Sequence, residues 1–423
     1  MTKKLSFKSI LFNLYIVCLT LLPAGSVGGV NLKIIIFIPL FICAMQLLAN
    51  ESDSLKQFAW MNAIAAIFMI WAVRSLLTPF YADWSMSQYK DVITTLLGCM
   101  FVRLIVTDQS KRKAFVRLCI NTVAVGCILK IVVLLYSIKT GVSVSSIVDR
   151  VSALFGVKLM TIELGDLGGR LQFPSDNLLP VVLFAVLCLR RWLQIGRLKA
   201  CFIVALILVS SLYTFSRYLW VCTAFAMCLG IFLSRKDKFN LIYVATAGAV
   251  ASIFHEQLWL LINLRFSNAL AGASDQTRVW QISALREFFW EAPLFGHGMG
   301  SYVLQHVRAV DLPYAYEVQL LALAGEFGVI GMVIFAILLI NYYRKAFSFR
   351  KGAYTYQFSI LLMLASFLGA GLFNPCLLVS MSSVSYGLIF VLASLGSNGE
   401  ESWSPEGGQQ ILLLQPPSIV SSI

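Results

Sequence analysis

Apolar residues in this chain come in blocks of about 20, the length an α-helix needs to cross a bilayer, and polar runs separate the blocks. Twelve blocks stand out, at 10–24, 32–49, 58–77, 91–107, 118–137, 176–196, 198–214, 217–234, 239–262, 316–343, 354–374 and 378–396. The pattern predicts an all-α polytopic membrane protein with about 12 transmembrane helices. It divides into N-terminal transmembrane helices (1–137), a loop (138–175), central helices (176–262), a large helical loop (263–315) and C-terminal helices (316–396). A Ser-, Gly-, Gln- and Pro-rich tail (397–423) has the composition of a disordered segment. No tandem repeat at solenoid periods is present. The basic start and apolar core of MTKKLSFKSILFNLYIVCLTLLPAG resemble a signal peptide. It has no A-x-A-like cleavage site and another apolar block follows, so it reads as a retained first helix.

Composition agrees with that pattern. Hydrophobic residues make up 59% of the 423 positions and charged residues 13%, against about 25% charged in soluble domains. The net charge of +13 would suit nucleic acid, but the Lys and Arg residues fall in short clusters between apolar blocks. That distribution sets membrane orientation and excludes a nucleic-acid surface. With a cytoplasmic N-terminus, the even-numbered connections carry the clusters Arg103 to Arg117, Arg190 to Lys199, Arg235 to Lys238 and Arg344 to Lys351. Both termini are then cytoplasmic, and 138–175 and 263–315 lie on the far side. Of the ten cysteines, nearly all lie inside apolar blocks and none forms a CxxC pair, so they read as small buried hydrophobes.

Candidate chemistry gathers in the polar stretch Leu264 to Gly331, with Arg265, Arg278, Arg286, Arg308, His297 and His306. Within it, Thr277 to Trp290 predicts an amphipathic helix with Asp275 as N-cap, whose face Val279, Ile282, Leu285 and Phe289 suits a membrane interface. GHGMG (Gly296 to Gly300) follows. It has no preceding strand, so it is not a dinucleotide loop. It reads as a turn, with His297 a candidate substrate contact, and two loosely spaced histidines do not make a zinc site. Arg170, Arg217, Arg265 and Arg278 all fall on the far side near helix ends. Arginine forks phosphate and stays charged, so the set suits a lipid-linked diphosphate. Ordinary ion pairs with Asp166, Asp176, Asp275 and Glu287 are the plain alternative. Arg217, in TFSRYLW, either faces a partner or cavity or snorkels from a short loop. Glu317, flanked by Tyr314 and Tyr316 at a span's mouth, is placed to act as general base toward a sugar hydroxyl, and Glu326 lies further in.

These elements, in this order, resemble the O-antigen ligase and polymerase superfamily. They are RLQFPSDN leading into a span, SRYLW after a span, TR-x-W with PLFGHGMG in a large loop, and EFGVIG. The motifs cover Gly168 to Gly331 and the topology covers the whole chain. The resemblance implies a fold similar to type C glycosyltransferases of the bacterial inner membrane. It implies transfer of a glycan from undecaprenyl diphosphate to an acceptor hydroxyl at the periplasmic face, without a metal, cofactor or nucleotide sugar. Arg217 and Arg278 would hold the donor diphosphate, with Arg170 and Arg265 supporting. A chain-length regulator and a flippase would be partners alongside membrane lipid.

One departure separates the subfamilies. Ligases show a His-Asn pair nine residues before the last motif's glutamate, and counting back from Glu326 lands on Glu317. The missing histidine favours the O-antigen polymerase over the ligase, and leaves Glu317 as either the base or a group that positions the acceptor. A transporter of lipid-linked sugar is a third reading, but transporters place charge at the midplane and show repeated halves.

Overall fold

Helix α15 (Ser382–Leu395) is the axis of the bundle's central group of helices. All 14 of its residues are buried, as expected for a helix that is apolar all round. The computed structural model describes residues 7–22, 26–27, 30–49, 66–78, 81–155, 160–163, 169–234, 240–253, 255–266, 268–307, 312–347, 349 and 354–396. The tail 397–423 lies outside them, as does Arg308.

In chain order the helices are α1 (Phe7–Leu21), α2 (Leu32–Ala49), α3 (Ala66–Leu76), α4 (Ala82–Ile105), α5 (Gln109–Thr140) and α6 (Val144–Phe155). After them come α7 (Leu179–Leu189), α8 (Arg197–Leu212), α9 (Arg217–Leu233), α10 (Asn240–Ile253) and α11 (His255–Phe266). The last four are α12 (Asn268–Glu291), α13 (Gln319–Tyr343), α14 (Tyr354–Gly369) and α15. Two small antiparallel hairpins interrupt them: β1 (Ser26–Val27) with β2 (Val30–Asn31), and β3 (Met160–Glu163) with β4 (Gly169–Gln172). Helices α4, α5, α7 and α14 surround α15, and α9 packs along α7.

Among the described residues three segments, Gln109–Thr140, Gln319–Tyr343 and Tyr354–Leu372, are long and apolar enough to cross a membrane. Their outward faces are apolar too: Val329, Val333, Ile337 and Ile340 recur along one side of α13 and are exposed, as are Ile34, Ile35, Ile38 and Ile42 on α2. Large apolar side chains on an outer surface at helical spacing mark an interaction with lipid rather than with water.

Several elements differ from the sequence pattern. The 239–262 block is helical from Asn240 to Ile253 and again from His255, with residue 254 outside the described residues. Helix α5 starts earlier than the apolar block, at an N-cap where Asp108 accepts from the Lys111 backbone N–H at 2.8 Å. The 138–175 loop carries α6 and the β3–β4 hairpin. Asp275 is not an N-cap. Helix α12 begins at Asn268, since the Ala-rich run NALAGAS continues the helix backward and the Asp275 carboxylate is drawn to two arginines instead. Its buried face is Gln281, Ala284, Leu285 and Phe288, whereas Val279 and Ile282 are exposed beside Trp280 and Trp290.

Helix α13 is broken at Gly328, which has φ 63° and ψ −174°. The GHGMG turn plugs into that break. Backbone N–H groups of His297 and Gly298 donate to the carbonyls of Gly325 and Glu326 at 3.0 and 2.9 Å, and those of Val329 and Ile330 donate to Pro293 and Leu294 at 2.8 and 3.1 Å. The Trp71 indole N–H donates to the carbonyls of both strands of this joint, Phe295 (2.7 Å) and Phe327 (3.0 Å). A Cβ on Gly296 would lie 2.2 Å from the Glu326 carbonyl oxygen, and one on Gly328 would lie 2.4 Å from that of Leu294. Both glycines are required by approach as well as by their positive φ. Glu326 sits in the joint, fully buried, and accepts from Gln88 Nε2 at 2.6 Å.

Candidate functional site

The polar stretch folds so that residues far apart in sequence meet at one end of the bundle. Tyr213 to Ser216 form the tight turn between α8 and α9, with Phe215 in the left-handed region (φ 53°). Thr214 Oγ1 donates to the Ser211 carbonyl at 2.7 Å, Ser216 Oγ accepts from the Leu219 N–H at 3.4 Å, and Trp220 Nε1 donates back to Ser211 at 2.9 Å. This leaves Arg217 as the first residue of α9, at the electropositive end of a helix. A cation there calls for a nearby anion.

Asp275 supplies it. Its Oδ1 accepts from Arg217 Nη2 and, at 3.2 Å, from Arg278 Nη1. Arg278 Nε donates to Glu317 Oε2 at 2.8 Å, and the Glu317 backbone N–H donates to Gln281 Oε1 at 3.1 Å. Asp275, Arg278 and Gln281 recur every third residue and form one polar ridge on α12. Residue 317, just before α13, is thus held through both its side chain and its backbone. Phe373, between α14 and α15, closes the other side: its ring lies 5.9 Å from the Arg278 guanidinium and stacks on Tyr218 at 4.9 Å. Arg278 Nη2 has no hydrogen-bond partner among the described residues. The pairs are half-open: side-chain exposure is 25% for Arg217, 18% for Arg278, 17% for Glu317 and 50% for Asp275. Such pairs exchange partners cheaply.

Of the residues singled out from sequence, then, Arg217, Arg278 and Glu317 are brought into one network. Arg170 lies on β4 opposite Ile162, and Arg265 lies on α11; their side chains are outside the described residues. Tyr314, Tyr316 and His297 occupy packing positions instead. The Tyr316 hydroxyl accepts from the Val303 N–H at 2.8 Å. Tyr314 lies 3.5 Å from Ser87 Oγ, and burial pushes its hydroxyl up to about 12, so it stays a neutral phenol. His297 stacks on Phe288 with ring centroids 3.9 Å apart, and its Nε2 pairs with the Phe288 carbonyl at 2.7 Å. Among the described residues no group of three or more His, Cys, Asp or Glu side chains forms a metal-holding arrangement.

Asp275 is the ion-pair partner that the plain alternative offered for these arginines, and for Arg217 and Arg278 that pairing forms. Sequence reasoning missed that one carboxylate serves both, and missed Gln281, Tyr218 and Phe373 as its supports. The i, i+3, i+6 spacing of Asp275, Arg278 and Gln281 was the available clue. It also missed a second charge pair. Lys130, fully buried in α5, donates to Asp176 Oδ1 at 2.6 Å, while Asp176 Oδ2 accepts from the Phe173 N–H at 2.9 Å. The ammonium also lies 5.6 Å from the Phe173 ring. This pair fixes FPSDN against α5 at the entry to α7. A scan against protein-family models finds no match to the chain, and a search of curated proteins finds none either.

Proposed function

We propose that the protein is an integral-membrane glycosyltransferase that polymerises lipid-linked repeat units of a surface polysaccharide, an O-antigen polymerase. The observation that carries the reading is the convergence of Arg217 and Arg278, from separate helices, on the single carboxylate of Asp275 beside Glu317. Supporting it are the twelve apolar blocks, which in this reading are twelve inner-membrane spans with both termini cytoplasmic. Contacts are consistent with that parity. The turns at Ser216, 263–315 and Phe373 meet one another, and at the other end Arg117 donates to the Leu193 carbonyl at 2.7 Å and Arg112 to that of Ser394 at 3.4 Å.

In this mechanism the donor diphosphate takes the place of the Asp275 carboxylate on the two guanidinium groups, next to the electropositive end of α9. Taking over Arg278 also frees Glu317. The acceptor sugar hydroxyl then attacks the anomeric carbon and its proton passes to Glu317. The anomeric C–O bond breaks with its electron pair leaving on the undecaprenyl diphosphate, whose charge the arginines stabilise. Attack opposite the leaving group inverts the anomeric centre.

The ligase remains the competing reading, and deletion of the gene separates the two. Lipopolysaccharide in which core bears a single repeat unit identifies the polymerase. Bare core with polymer retained on the lipid carrier identifies the ligase and overturns the argument from the absent histidine.

A further inference from the structure

A second site lies at the opposite end of the bundle from Arg217. A cavity of about 420 Å³ opens between α4, α13 and α2, with walls formed by Leu48, Leu96, Met100, Phe335 and Leu338. This is the size range of small-ligand pockets, about 300–1,000 Å³. Along α4 the wall runs from Thr95 to Leu104 and along α13 from Phe335 to Tyr342, with Arg344 and Lys345 just past its end, so both helices deliver their C-terminal ends to the same edge. Three cations stand there: Arg103, Arg344 and Lys345. Arg344 and Lys345 are exposed and Arg103 is half-buried. Arg103 and Arg344 are close enough to repel each other. None of the three side chains makes an ion pair or hydrogen bond with a described residue.

Basic residues at helix C-termini interact favourably with the helix dipole, and that alone would explain one of them. The proposed orientation of the chain calls for basic residues on this side, but neither effect explains why three cations, unpaired among the described residues and two of them in mutual repulsion, gather around the mouth of an apolar cavity. The missing partner has to be anionic at one end and apolar along its length. We infer that this cavity holds one anionic phospholipid of the cytoplasmic leaflet, its phosphate on Arg103, Arg344 and Lys345 and an acyl chain between α4 and α13. Basic pockets between membrane helices take such headgroups by this same division of labour. The inference rests on the orientation of the preceding reading and is independent of the transfer reaction.

Native mass spectrometry of the purified full chain in detergent, titrated with phosphatidylglycerol or phosphatidylcholine, tests it. The expected result is one retained lipid, with phosphatidylglycerol preferred by at least about tenfold. Arg103→Gln/Arg344→Gln/Lys345→Gln should abolish the preference. Leu338→Trp, which fills the cavity and keeps the charges, should release both lipids. Lys111→Gln/Lys113→Gln/Arg197→Gln, an equal loss of charge elsewhere on the same side, should leave the preference intact. Equal retention by the wild type and the first variant would overturn the inference, as would an equal loss in the Lys111/Lys113/Arg197 variant.

Discussion

Two of the cation–carboxylate groupings among the described residues differ mainly in burial. Lys130 and Asp176 have side-chain exposures of 0% and 4%; Arg278 and Asp275 have 18% and 50%. A buried pair has no water to turn to, so each member is bound to the other and its geometry is fixed. A half-open pair has solvent as an alternative partner and therefore also an anionic ligand. The first grouping holds FPSDN in place, whereas the second is available for exchange. Charge alone does not mark a functional site in a membrane protein; the cost of replacing the partner does.

The largest expected effect comes from breaking the buried pair on one side only. Lys130→Met strands Asp176 and should destabilise the protein by about 3–5 kcal/mol, seen as a lower Tm in detergent. Lys130→Met/Asp176→Asn removes both charges while keeping an acceptor for the Phe173 N–H, and should recover most of that loss. Arg278→Ala should leave insertion intact and lower Tm by less than Lys130→Met does, since its pairs are only partly buried. Its cost falls on polymer synthesis, by about 10²–10³-fold, read as loss of the lipopolysaccharide ladder. Glu317→Gln preserves shape and, in the proposed mechanism, removes the proton acceptor, so the transfer rate should fall by about a hundredfold. Recovery of that rate at raised pH would contradict the base assignment. Smallest of all, Asp275→Asn should change Tm little and tighten donor binding severalfold, because the internal competitor is weakened.

How much of this was legible beforehand differs by element. The apolar blocks located the helices because the bilayer length and the 3.6-residue repeat are properties of local sequence. Arg217 and Arg278 stood out for the same local reason, as cations beside apolar blocks. Asp275 offers two readings in sequence, an N-cap and an ordinary ion-pair partner, and only the fold shows that it gathers Arg278 and, across 58 residues, Arg217. Lys130 was hidden inside an apolar block whose partner lies 46 residues away. Tyr314, Tyr316 and His297 drew attention by residue type, yet their polar atoms are engaged by Ser87, Val303 and Phe288. The break in α13 was invisible because EFGVIG is apolar enough to read as continuous helix, and only the approach of GHGMG requires it to open.

The central claim is that the two arginines exchange Asp275 for a diphosphate. It is tested most directly by titrating the purified protein with a short polyprenyl diphosphate, farnesyl diphosphate, and comparing Arg217→Ala, Arg278→Ala and Asp275→Asn with the wild type. The account predicts binding weakened more than about tenfold in each arginine variant, each losing a charge-assisted contact worth about 1.5–3 kcal/mol, and strengthened in Asp275→Asn. Equal affinity across all four proteins would mean that the network is an ordinary loop ion pair, and the site would have to be sought elsewhere.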